Sequence, residues 1–205
     1  MALKLRNVAF VFAQILTLTA NGSYAEQAYQ NTEADIYDEG EAPTLASYEN
    51  GSDTAMDIYL TGYSFWDNTP PGSAAIAKPV IHNRAGGTGT YRDPITVAVG
   101  HTNYGGRRSM DFPAGTRFYF PNLQKYGIVE DLCGDGASPQ NGPCHSGHNG
   151  LAWLDIYIGG RTVGASAAYS CMNRITGVQG AILKPARNYR VNIGEIATSV
   201  CNLNG

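Results

Sequence analysis

An aspartate stands in the middle of an apolar run at residues 151–160, LAWLDIYIGG. The run has the composition of a strand, closed by Gly159-Gly160. Alternation along a strand puts Leu151, Trp153, Asp155 and Tyr157 on one face. Ala152, Leu154, Ile156 and Ile158 share the other, which is wholly apolar and reads as core. Asp155 therefore lies between two aromatic neighbours. A free Asp has a pKa of about 3.9. Aromatic walls that exclude water raise that value, as does a second carboxylate nearby. A carboxyl kept protonated in this way can work as a proton donor.

Two other aspartates and a histidine join Asp155 as candidates. Asp131 lies in YGIVEDLCGDG (126–136). Asp67 lies in TGYSFWDNTPPGS (61–73). Tyr63, Trp66, Trp153, Tyr157 and His101 are the candidate substrate contacts. Each has a structural alternative. For Asp155 it is acceptance of backbone N–H groups, for Asp131 a cap on the Cys133 loop, and for Asp67 a turn before Asn68-Thr69-Pro70-Pro71. Trp66 and Trp153 are core unless a groove exposes them, and a lone His after a strand is usually structural.

The elements that must position these residues read as short strands punctuated by Gly, Pro and Asn. Candidates are IYLTGYSFW, DPITVAVG, TRFYFPNL, YGIVEDL, LAWLDIYIG and YRVNIG. Thr69–Tyr91 is Gly- and Pro-rich and reads as loop, and parts of Arg161–Arg174 are the best helix candidate. Six strands without long helices indicate an all-β barrel or sandwich.

Lys4 and Arg6 precede the apolar run Val8–Ala20, and Ser23–Ala25 offers a small-x-small exit. That is the pattern of a signal peptide over residues 1–25. Residues 26–57 hold nine acidic residues and no Lys or Arg, so they read as a disordered leader ahead of a domain at 58–205. The leader is read as a solubilising linker, with masking of a groove as the alternative. The domain itself has 8 acidic and 12 basic residues. An exported, soluble chain is the expectation. Cys133, Cys144, Cys171 and Cys201 fit disulfides in an oxidising compartment. Three connectivities are open; Cys133–Cys144 with Cys171–Cys201 is favoured because short local loops close easily. The alternative of zinc on Cys133, Cys144, His145 and His148 is weaker for an exported chain.

Four pieces in order, TGYSFWDNTPPGS, DPITVAVGH (93–101), FPAGTRFYFPNL (112–123) with YGIVEDLCGDG, and WLDIYIGG (153–160), together resemble the double-psi β-barrel proteins. That superfamily includes expansins, rare lipoprotein A, barwin-like proteins, small double-psi endoglucanases and the three-aspartate lytic transglycosylases. Pro113, Gly115, Thr116 and Arg117 match the transglycosylase P-x-G-T-R segment, with Asp131 and Asp155 on the two strands that follow. Gly100-His101 stands where the first aspartate of that pattern is expected. TGYSFWD is similar to the T-x-Y-W-D segment of the endoglucanases, which puts Asp67 at their base, and WLD to their acid strand, which again points to Asp155. The resemblance implies a six-stranded double-psi barrel with long Gly/Pro-rich loops and a disulfide-linked C-terminal part. It also implies action on cell-wall polysaccharide (peptidoglycan, chitin or β-glucan) by hydrolysis or lytic transglycosylation. A non-catalytic wall-binding or wall-loosening protein, or a secreted effector, is the alternative.

No cofactor or metal is expected, and the chain is read as a monomer acting on neither membrane nor nucleic acid. The chain after residue 25 is formally −5 and shows no basic stripe. GGTG at 86–89 does not sit between a strand and a helix as a phosphate loop requires.

Overall fold

A computed structural model describes residues 52–203; the expected signal peptide and most of the acidic leader lie outside the described residues. Eight strands form in the order β1 (Thr54–Tyr63), β2 (Ile95–Val99), β3 (His101–Tyr104), β4 (Arg107–Met110), β5 (Arg117–Phe120), β6 (Lys125–Leu132), β7 (Ala152–Tyr157) and β8 (Gly177–Leu183). Two helices, α1 (Pro143–Ser146) and α2 (Ala165–Ile175), complete the set with a short 3-10 turn at Pro139–Asn141. Six strands close into a barrel in the order β1-β7-β2-β6-β5-β8, and β3 with β4 form a separate hairpin. The β1/β7 and β2/β6 pairs are parallel, while β2/β7, β5/β6, β5/β8 and β1/β8 are antiparallel.

Alternation builds the core. Ile58 and Leu60 of β1, Val97 and Val99 of β2, Val129 of β6, and Leu154 and Ile156 of β7 have no exposed surface. Each contributes about 1.5–3 kcal/mol by leaving water. Leu154, Ile156 and Ile158 are core and Trp153 and Asp155 keep access to solvent, as read for LAWLDIYIGG, but Tyr157 on the Asp155 face is buried and Ala152 on the apolar face is half-buried. Helix α2 packs against β1 because Gly62 has no side chain there; a Cβ would stand 2.6 Å from Ile175 Cδ1.

Three expectations change. The domain boundary at Ile58 falls inside β1, which starts at Thr54, and Asp53 is tied into the fold by Ala186 N–H (2.6 Å) and the Tyr189 hydroxyl (2.7 Å). The segment YRVNIG is not a strand; Asn192 and Gly194 carbonyls instead accept bonds from the buried ammonium of Lys125. The sixth barrel strand is GVQGAIL, whose glycines and glutamine dilute the strand signal. It holds because its backbone pairs with both β1 and β5. The Thr69–Tyr91 segment contains no strand, as its composition indicates, the strand expected through Trp66 ends at Tyr63, and α2 falls where the helix was expected.

Candidate active site

The barrel register places four of the relevant residues in one row. Thr61 of β1 pairs with Asp155 of β7, Asp155 pairs with Ala98 of β2, and Ala98 pairs with Asp131 of β6. Residues directly opposite in register share a face, so both carboxyls rise on the same side with a methyl group between them. Two strand spacings put their backbones ~10 Å apart.

Asp131 reaches that face through a bulge. Val97 pairs with Val129, but Ala98 pairs with Asp131, so Glu130 is an extra residue in β6. Simple alternation would have sent Asp131 inward with Val129. The bulge turns it outward and leaves Glu130 fully buried. The Glu130 carboxylate is nonetheless satisfied. Its Oε1 accepts backbone N–H bonds from Val80 (3.2 Å), Ile81 (2.7 Å) and His82 (2.9 Å), and its Oε2 pairs with His82 Nδ1 (2.6 Å). His82 Nε2 meets Asp93 Oδ1 at 2.9 Å. Burial opposes charge on His82, yet hydrogen bonds and charges from Asp93 and Glu130 raise its pKa above 6.5. These bonds hold the long loop after β1 against the barrel, where Asn68, Thr69 and Ala75–Ala77 become groove wall.

The groove has a volume of about 400 Å³, and Asp67, Asp131 and Asp155 all line it, with Tyr63 and Ala98. The three carboxyls differ in what they are committed to. Asp131 is saturated: Oδ1 accepts from Ala77 N–H (2.9 Å) and Leu132 N–H (2.9 Å), and Oδ2 from the Tyr63 hydroxyl (3.0 Å). Burial raises its pKa, with Glu130 adding, against the pull of those three donors. Asp67 closes a turn, with Oδ1 accepting from Ser64 N–H (2.7 Å) and Ser64 Oγ–H (2.6 Å). Its turn role and its place in the groove therefore coexist.

Asp155 takes no backbone donor among the described residues. Its Oδ1 accepts one bond, from the Thr61 hydroxyl (2.8 Å), and Thr61 Oγ1 accepts in turn from Trp153 Nε1–H (2.8 Å). Oδ2 has no protein partner among the described residues. Burial lifts the Asp155 pKa from 3.8 to about 7, and the charges of Asp67, Asp131 and Asp135 add to the rise against the Thr61 bond. The carboxyl is enclosed by protein on most sides while retaining a window onto the groove. Such an acid is half-protonated near neutral pH.

Of the aromatic candidates, Tyr63 lines this groove and Trp153 stands behind it, bonded to Thr61 and packed edge-on against Tyr59 (4.6 Å). Tyr157 faces a neighbouring cavity, and Trp66 donates its indole N–H to Gly160 O (2.9 Å) outside the aspartate groove. His101 opens the β3/β4 hairpin, away from the groove lining, and burial followed by the Arg108 charge lowers its pKa. Thr61, Ala98 and Glu130 were missed by sequence reasoning. A threonine two residues before Tyr63 on the same alternation was the available signal for the first; the others depend on register.

Both disulfides follow the favoured connectivity. Cys133–Cys144 closes the loop beside the groove, and Cys171–Cys201 fastens α2 to the C-terminal segment. With Cys133 and Cys144 bonded to each other, neither offers a thiolate for zinc. His145 pairs with Asp111 (2.6 Å), and His148 stacks on Tyr59 (4.0 Å).

Fold and site together define a closed six-strand β-barrel protein with a carboxyl-lined groove across one end of its parallel pairs. Residues 55–202 match the family described as the DDB_G0273701 N-terminal domain, and the chain belongs to that family. It is similar to a Dictyostelium discoideum protein, the uncharacterized protein DDB_G0273701/DDB_G0273221, at 36% identity over 104 residues. The match covers 51% of this chain and 40% of that relative, so it spans well under half of the relative's length. No solved structure matches the chain.

Proposed function

We propose that this is a secreted double-psi barrel protein that cleaves cell-wall polysaccharide, with Asp155 as the proton donor. The observation that carries the reading is a single carboxyl, raised to about 7, with one uncommitted oxygen open to a groove of about 400 Å³. Two disulfides are in keeping with export. The pairing of two parallel strand couples through an antiparallel β2/β7 contact supports the double-psi reading of the barrel.

In the reaction, protonated Asp155 gives its proton to the glycosidic oxygen as the bond to the anomeric carbon breaks. Asp131, held by three donors, does not exchange protons; its charge supports the raised pKa of Asp155 and the developing positive charge on the sugar. The anomeric carbon is then taken by water or by a hydroxyl of the same sugar. Asp67 Oδ2, which makes no protein hydrogen bond among the described residues, is the available base for either.

Incubation with insoluble peptidoglycan, chitin and β-glucan tests the reading. Soluble fragments are expected from one of these polymers with the wild type and not with Asp155→Asn. Binding without fragments in both forms would instead establish the wall-binding alternative, which the saturation of Asp131 also suits.

A further inference from the structure

A second cavity, of about 700 Å³, adjoins the aspartate groove. Ala75 lines both, and the Tyr63 ring of one packs edge-on against the Tyr157 ring of the other at 5.2 Å. The two differ in charge. Three aspartates line the first, whereas the second has Arg84 and Arg161 against Glu195, a formal excess of one positive charge.

Neither arginine is committed to a carboxylate: no ion pair of Arg84 or Arg161 occurs among the described residues. Arg161 is nevertheless positioned, because its guanidinium lies 5.1 Å from the centre of the Phe65 ring, which lines the same cavity. Stacking of this kind holds the planar fork ready and reduces what must be ordered on binding. Asp155 and Arg161 are six residues apart in sequence, with the chain turning at Gly159 and Gly160, so at most ~20 Å separates their backbones. A linear ligand crossing both cavities would set an uncharged sugar at the acid and an anionic group at the guanidinium. Tyr157 and Phe65 line the same cavity.

From this we infer that the second cavity is a subsite for a carboxylate-bearing sugar, with Arg161 and Arg84 as the carboxylate ligands. The inference rests on the proposed action at Asp155 for its polymer orientation, though binding at the subsite does not need cleavage. Two sources offer this chemistry: a uronic acid, whose carboxylate is part of the ring substituents, and an amino sugar bearing a lactyl ether.

Calorimetric titration with a short oligogalacturonate, its methyl ester, and peptide-free peptidoglycan glycan strands separates these cases. The expected result is saturable binding of one carboxylate ligand, weakened about tenfold or more in Arg161→Gln and again in Arg84→Gln. Preference for oligogalacturonate over its ester assigns the uronic acid; preference for the glycan strands assigns the lactyl group. Equal affinity of the arginine variants and wild type for every ligand overturns the subsite, even if Asp155-dependent cleavage is found. Arginine-dependent binding without cleavage of any polymer upholds the subsite and removes the proposed reaction.

Discussion

The Thr61 hydroxyl donates to Asp155 Oδ1 across the parallel β1/β7 register at 2.8 Å, and it is the only protein hydrogen bond that this carboxyl accepts among the described residues. Thr61 also accepts the Trp153 indole N–H, so one hydroxyl fixes the rotamer of the acid and of its aromatic neighbour. The bond favours the ionised form and works against burial.

Thr61→Val is therefore expected to raise the Asp155 pKa above its present value of about 7. It should also leave the Trp153 N–H without an acceptor, costing about 1–2 kcal/mol of stability. A carbon-13 titration of the Asp155 carboxyl reads the first effect and chemical denaturation the second. An unchanged titration midpoint would show that the hydroxyl does not control the acid.

Asp155→Asn should stabilise the fold in alkaline solution. With the native pKa at about 7 and the ordinary value at 3.8, the native state binds more protons than the unfolded chain between those limits. Stability from this group is therefore greatest below about pH 4, falls as pH rises to about 7, and is flat above. Asparagine has no charge to bury. Since Asp155 keeps a window to solvent, a gain of ~1–2 kcal/mol at about pH 8 is expected rather than the full value of the shift. At about pH 4 the gain should vanish. Melting curves at the two pH values check the difference.

Glu130→Gln removes the charge that faces three loop N–H groups and His82. Breaking a buried pair of this kind costs about 3–5 kcal/mol. The raised His82 pKa sets the pH dependence: its stabilising contribution is complete below about pH 6.5 and is lost as pH rises through the native value. The cost of Glu130→Gln should accordingly be larger at about pH 6 than at about pH 8. Proteolysis within residues 77–82 should increase in the variant, because those bonds hold the loop against β6.

The disulfides should contribute unequally. Chain-entropy scaling gives ~2.8 kcal/mol for the Cys133–Cys144 separation of 11 and ~3.6 kcal/mol for the Cys171–Cys201 separation of 30. Paired Cys→Ser variants compared by denaturation read the difference. Loss of the first, beside the groove, should lower groove function more than its effect on stability suggests.

The outward position of Asp155 was legible because period-two alternation runs unbroken through LAWLDIYI, with a solid apolar face opposite. Asp131 was legible only as a residue type. In YGIVEDL it shares parity with Val129, and nothing in the letters marks Glu130 as the bulged residue that reverses it. Strand β8 was hidden for a different reason. GVQGAIL is weak in local propensity and is made a strand by pairing on both edges, a tertiary effect. Trp66 lies outside the aspartate groove with its indole N–H bonded to Gly160 O, and its side chain is 39% exposed, a placement that depends on the fold rather than on its neighbours in sequence.

The most direct measurement is the pH dependence of fragment release from the responsive polymer, from about pH 5 to about pH 9, by wild type and Asp155→Asn. The account predicts wild-type release that falls with a one-proton slope through about pH 7, as Asp155 loses its proton, and none from the variant. Equal release by the two proteins at every pH would contradict it.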